Sequence, residues 1–226
     1  MELSPGVHQI EGVGGANSFL VISDQGVAVI DTGLPGNEKK IVEHARKLGV
    51  EPSKVSYIIL THPDIDHSGS AAKLKNLTGA KVAIHEADAM RLSGAKKLKE
   101  VKGPMGVLFG VMGPFMRFTP VKPDIVLKDS DRLLDLMVVY TPGHTEGSVS
   151  LYKDKVAIFV GDALRTNSSG KPILPPGQMT VDMDQAKESI RKISALQYAL
   201  LLPGHGPPIT KDASASLASF VQKGFK

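Results

Sequence analysis

The chain contains no cysteine. That excludes disulfides, thiol nucleophiles and thiolate metal sites, so any bound metal has to be held by imidazole and carboxylate. It also lacks an apolar run of about 18 residues, the length a transmembrane helix needs. The opening residues, MELSPGVHQIEG, carry no basic stretch followed by an apolar one, as a secretory signal requires. The expectation is therefore a cytoplasmic protein with no membrane contact. No Pro/Ser-rich or low-complexity stretch interrupts the chain, and its 226 residues read as one domain with room for a substantial core. The net charge of +4 is not accompanied by aromatic residues interleaved with the basic ones. Lys39, Lys40, Lys47, Lys73, Lys75, Lys96, Lys97 and Lys99 therefore read as solvated helix faces, and no nucleic-acid partner is expected.

What is present is concentrated chemistry. Thr61-His62-Pro63-Asp64-Ile65-Asp66-His67 places two imidazoles and two carboxylates in one short loop. Val55 to Leu60 ahead of it is β-branched and apolar and reads as a buried strand. Ser68 to Leu77 behind it reads as a helix. Imidazole nitrogen and carboxylate oxygen are the donors that zinc, iron and manganese take. A plainer reading of the loop has Asp or Ser capping the helix that follows.

The remaining pattern is strands in two groups with helices between them. Strands are expected at Gly6 to Ile10, Asn17 to Ile22, Gly26 to Ile30, Lys81 to Ile84, Ile125 to Leu127 and Leu133 to Tyr140. Ser148 to Tyr152 and Val156 to Val160 read as a hairpin, and Ala199 to Leu202 as a last strand. Helices are expected from Asn37 to Leu48, Glu86 to Leu92, Asp182 to Gln197 and Asp212 to Gln222, with Asn37 and Asp212 as caps. Residues 93–120 differ. A basic stretch leads into Pro104 to Phe118, rich in Met and Phe and broken by Gly and Pro. It reads as an insertion with three alternatives: an apolar lid over a pocket, a homodimer contact through 104–118, or a pair of core helices.

Three further candidate ligands share the loop's context. His144 follows the strand ending at Tyr140, Asp162 the strand ending at Val160, and His205 the strand ending at Leu202. Each stands beside a glycine at a strand's C-terminal end, where a tight turn lets backbone approach a ligand closely. Ligands from separate strand ends meet at one edge of a sheet. His85 also follows a strand, but no ligand position calls for it. His8 and His44 read as structural or surface residues. Tyr140 and Tyr152 read as core or rim, and Arg165-Thr166-Asn167 as a solvated loop or a pocket wall.

Taken together, Asp31-Thr32-Gly33, Thr61-His62 through His67, Thr141-Pro142-Gly143-His144-Thr145-Glu146-Gly147-Ser148, Gly161-Asp162 and Pro203-Gly204-His205-Gly206 resemble the motifs of the metallo-β-lactamase-fold superfamily of metal-dependent hydrolases. The third and fifth resemble its glyoxalase II-type and lactonase-type branches. The resemblance implies an α+β fold, a four-layer αββα sandwich with metals at one edge. It implies that His62, Asp64 and His144 bind a first ion, that Asp66, His67 and His205 bind a second, and that Asp162 bridges them. Asp31 is then either a support for the ligands or a turn cap. Asp64 departs from the family pattern, which has histidine there. It binds directly or through a water. A third carboxylate makes the centre less positive and more accepting of iron or manganese beside zinc.

The implied cofactors are two divalent metal ions, and the implied reaction is hydrolysis of a small-molecule ester, thioester or lactone by a metal-activated hydroxide, with Asp66 orienting it and shuttling its proton. The acid at position 64 also resembles flavodiiron proteins, which reduce oxygen or nitric oxide and would here need a separate flavin partner. Mononuclear iron dioxygenases are a further relative, although His67 and His205 retain the second position. A metal-stabilised binding module is the non-enzymatic alternative.

Overall fold

The computed structural model describes residues 1–99 and 118–226. The expected lid and dimer contact at 104–118 therefore lie almost entirely outside the described residues. Gly94 and Pro120, which lie against each other, mark where the chain enters and leaves that stretch.

One sheet has seven strands in sequential order: β1 (Glu2–Ser4), β2 (Val7–Gln9), β3 (Phe19–Ser23), β4 (Gly26–Ile30), β5 (Val55–Ile59), β6 (Lys81–His85) and β7 (Ile125–Leu127). It is antiparallel through β4 and parallel from β4 to β7. The second sheet runs β14 (Tyr198–Pro203), β11 (Lys155–Gly161), β10 (Val149–Lys153), β9 (Leu136–Tyr140) and β8 (Arg132–Leu133). Only its β11–β14 pair is parallel. A small ribbon joins β12 (Arg165–Thr166) to β13 (Pro172–Ile173).

Alternation along the strands builds the layers. On β4, Val27 and Val29 face the helices while Ala28 and Ile30 face the other sheet. On β11, Ala157 and Phe159 point between the sheets while Ile158 and Val160 point outward. The middle layer packs Phe19, Ile30 and Ile59 of the first sheet against Leu136, Leu151, Phe159 and Leu202 of the second. Phe19 and Phe159 meet edge to face with centroids 5.3 Å apart. Outside the first sheet lie α1 (Glu38–Lys47) and α3 (Ala71–Thr78), burying Ile41, Ala45, Ala71 and Leu74. Outside the second lie α5 (Met183–Ser194) and α6 (Ala213–Gln222), burying Ile190, Ile193, Leu217 and Phe220. Short α2 (Ile65–Ser68) and α4 (Glu86–Leu92) complete the set. Helix, sheet, sheet, helix is the expected αββα sandwich.

Several local expectations are corrected. The strand expected over Leu133 to Tyr140 is two strands, because Leu134 takes a positive φ and the chain turns back on itself. The helix expected from Ser68 is split at Gly69, which a side chain would drive into Pro35. Neither Asn37 nor Asp212 caps its helix through its side chain. Asn37 instead donates to Gly14 O and Leu34 O, tying α1 to the glycine-rich turn. Asp182 does cap α5, accepting from Gln185 N.

Candidate metal centre

The parallel strands β4, β5 and β6 end on the same edge, as do β11 and β14, and that edge carries the expected ligands. The loop after β5 is held in place by its own backbone. Asp64 O accepts from His67 N and Ser68 N, forming α2 and aiming Asp64, Asp66 and His67 inward. Asp64 stands where a helix cap would, yet its side chain makes no capping bond. The plain capping reading of the loop therefore fails. Its carboxylate turns to the histidines instead.

All seven expected ligands converge. His62, Asp64 and His144 offer atoms within 4.8 Å of one another, as do Asp66, His67 and His205, and His62, His67 and Asp162. His62 Nε2 is 3.5 Å and His144 Nε2 3.1 Å from Asp64 Oδ2. His205 Nε2 is 3.2 Å from Asp66 Oδ2. Asp162 turns Oδ1 to His67 Nε2 and His205 Nε2, at 3.4 and 3.5 Å, and Oδ2 to His144 Nε2 at 3.6 Å. Tetrahedral nitrogen and oxygen ligands at about 2.0–2.1 Å from an ion stand roughly 3.4 Å apart, so these spacings fit a divalent cation in each group. The buried atoms His62 Nε2, His67 Nε2 and Asp162 Oδ1 have no hydrogen-bond partner among the described residues. Buried polar groups are rarely left so, and atoms aimed at one another around a common point suit a cation.

Asp31 organises two of the rings. Its Oδ2 accepts from His67 Nδ1 at 2.7 Å and from Thr61 Oγ1 at 2.8 Å, and its Oδ1 accepts from Thr61 N at 2.9 Å. Thr61 Oγ1 has spent its proton on Asp31, so it accepts from His62 Nδ1 at 3.0 Å. Both imidazoles thus donate from Nδ1 and turn Nε2 to the centre. Asp31 supports the ligands rather than merely capping a turn. Burial lowers the His67 basicity, but Asp31 and Asp162 overcome it and hold it well above the ordinary value. Burial outweighs the carboxylates at His144, whose value is lowered. Burial pushes the Asp64 carboxyl up, but Lys99 and His62, aided by His144, bring it well below the usual range.

Lys99 corrects the reading of it as a solvated lysine. Its side chain is 5% exposed, and Nζ lies 2.7 Å from Asp64 Oδ2 and 2.5 Å from His144 Nε2. Asp88 on α4 is a functional residue that the sequence pattern does not single out. Fully buried, it accepts from Thr145 Oγ1 and Gly147 N and pairs with Arg91, which reaches on to Glu146. It thereby pins the loop that carries His144. Burial raises its carboxyl above the ordinary value. Asn17 does the same for His205, donating to Pro203 O and Gly206 O. No spacing rule reveals either residue, since each acts across the fold.

The other candidates have partners of their own. His85 accepts from Ala87 N and stacks on Tyr140 with centroids 4.4 Å apart. Tyr140 donates to Glu146 O and Tyr152 to Gln197 O, so both phenols are structural. His8 pairs with Glu2, and burial lowers His44. Arg165-Thr166 forms the ribbon strand β12, and Thr166 N donates to His205 O.

Fold and donor set agree with the sequence comparisons: residues 12–205 match the description "Metallo-beta-lactamase superfamily", and the chain belongs to that superfamily. It is 29% identical over 219 residues to the protein YobT of Bacillus subtilis (strain 168), covering 93% of this chain and 91% of that one. It is 29% identical over 205 residues to "Probable metallo-hydrolase YflN" of the same organism, covering 80% of this chain and 76% of that one. Among solved structures it resembles the metallo-beta-lactamase family protein TTHA1429 of Thermus thermophilus, with a TM-score of 0.73, 23% identity, and coverage of 99% of this chain and 80% of the other. Among the described residues no helix is long and apolar enough to cross a membrane.

Proposed function

We propose that this protein is a dinuclear metallo-hydrolase that cleaves an ester, thioester or lactone in a small molecule. The observation that carries the reading is Asp162, whose two oxygens face two separate donor groups. A single structural ion needs no such bridge. The similarity to "Probable metallo-hydrolase YflN" supports the metallo-hydrolase part of the reading. Divalent ions held by these residues would supply a water that ionises near neutral pH and positive charge beside a developing oxyanion.

The chain's own residues do the rest. His62, Asp64 and His144 would hold one ion, Asp66, His67 and His205 the other, and Asp162 would serve both. Asp31 and Thr61 keep both loop histidines in the ligating tautomer. Asp66, partly exposed and 3.2 Å from His205, takes the proton of the attacking water and returns it to the leaving oxygen or sulfur. Three carboxylates around such ions would lower the positive charge of the centre. Zinc would serve the site, and iron or manganese would be accepted better than in relatives with histidine at position 64.

The test is a panel of esters, thioesters and lactones against the zinc, iron and manganese forms. Turnover abolished by a chelator, and by His62→Ala or Asp162→Ala, is the expected result. Turnover surviving in either variant contradicts the assignment. An iron form that consumes oxygen when supplied with a reduced flavin and hydrolyses nothing favours the redox alternative, which the acid at position 64 also fits.

A further inference from the structure

The two donor groups differ in one respect. Among the described residues no ammonium or guanidinium lies within ion-pair distance of Asp66 or Asp162, whose close partners are histidines. The His62/Asp64/His144 group has Lys99 inside it. Nζ stands 2.7 Å from Asp64 Oδ2, 2.5 Å from His144 Nε2 and 3.3 Å from His144 O. An ammonium has three donors and no acceptor, and these three acceptors use them all. Its positive charge stands where a divalent cation would have to stand. An ion about 2.0–2.1 Å from the same two ligand atoms leaves no room for Nζ.

We propose that Lys99 is a built-in competitor for the first metal position. Metal then fills the Asp66/His67/His205 position first. It enters the His62/Asp64/His144 position only as the ammonium leaves. The long unbranched lysine stem makes that exchange a rotation of one side chain rather than a change of fold. Asp64 is what makes the competition work. A carboxylate attracts an ammonium, whereas an imidazole at that place would offer it no charge. The proposal rests on the two-position reading above and assigns the order in which the positions load.

The test is calorimetric titration of the chelator-treated full chain with Zn²⁺, beside the same titration of Lys99→Met. Co²⁺ absorption reports the coordination of each equivalent. His62→Ala identifies which event belongs to the first position. The expected result is two resolved events in the native chain, the weaker lost in His62→Ala. In Lys99→Met that weaker event tightens at least tenfold, and the tighter one stays within about twofold. Circular dichroism of Lys99→Met confirms that the variant is folded, and Lys99→Arg, which keeps the charge, serves as a second variant that should retain weak second binding. Two equivalents in the native chain and in Lys99→Met, with the weaker affinity unchanged, overturns the role of Lys99 alone. One equivalent in both overturns the two-position reading itself.

Discussion

Asp31 accepts three hydrogen bonds with one carboxylate, from Thr61 N, Thr61 Oγ1 and His67 Nδ1. It does so from a left-handed backbone conformation, φ 54°, which Asp tolerates better than most residues. An amide offers one acceptor oxygen where the carboxylate offers two. Asp31→Asn should leave the fold intact and weaken metal binding about 10- to 100-fold, because the tautomers of His62 and His67 are no longer fixed. Competition with a chromogenic chelator measures this, and an unchanged affinity would mean that packing alone orients the rings. Gly204 is a second such position. A Cβ there would lie 2.5 Å from His67 Cε1 and 2.7 Å from Asp162 Oδ1. Gly204→Ala should cost about 1–3 kcal/mol in a denaturant titration and strip metal from the chain. The side chains that converge here could be picked out in the sequence because each sits beside a glycine at a strand end or in the dense loop after β5. Lys99 was not, because a lysine's burial depends on where a distant loop lays it.

At the scale of elements, α4 is a clamp. Its Asp88 holds the loop of Thr145 and Gly147 and pairs with Arg91. Asp88→Ala takes the carboxylate partner from the Thr145 hydroxyl and the Gly147 N–H in a buried place and leaves Arg91 with Glu146 alone. The expected loss is about 3 kcal/mol in thermal or urea unfolding, with weaker metal binding following from the freed His144. A loss below about 1 kcal/mol would show that the loop holds itself. The edge strand β7 has its own fastening. Asp124 accepts from Lys75 Nζ and from Val82 N, each at 2.8 Å. Burial pushes its carboxyl up, but Lys75 and the Val82 amide outweigh that and leave it below the ordinary value. A depressed folded value means stability present above the unfolded value, near 4, and lost as pH falls through the folded one. Asp124 is about one-third exposed, so the effect is small. Asp124→Ala should lower the unfolding free energy in urea by well under about 1 kcal/mol at pH 7, and the gap to the native chain should narrow below about pH 4. A gap that widens on acidification would reverse the sign. Element positions were largely readable, since β4, α4 and β7 follow from apolar runs and their breakers. The caps at Asn37 and Asp212 were not, because tertiary partners and a left-handed φ claimed those residues.

At the scale of the whole molecule, the alternation that separates three apolar layers also brings the strand ends to one edge. Phe159 anchors the middle layer against Phe19 and is 1% exposed. Phe159→Ala should lower stability by about 3–5 kcal/mol, and because β11 leads straight into Asp162 it should loosen the metal site as well. Guanidinium unfolding with metal quantified alongside would separate the two effects. Sheet membership was only partly readable from sequence. Strands come in two groups, but which pairs are parallel depends on crossovers that no local pattern records. The sandwich itself came from motif resemblance, and the layered packing explains why those motifs lie at strand ends.

The central claim is that Asp162 joins two metal positions, and the direct measurement is metal equivalents per chain at saturating Zn²⁺, by elemental analysis after dialysis, for the native chain and Asp162→Ala. The account predicts two equivalents in the native chain and the loss of at least one in the variant. One equivalent in the native chain, or two in both, would contradict it.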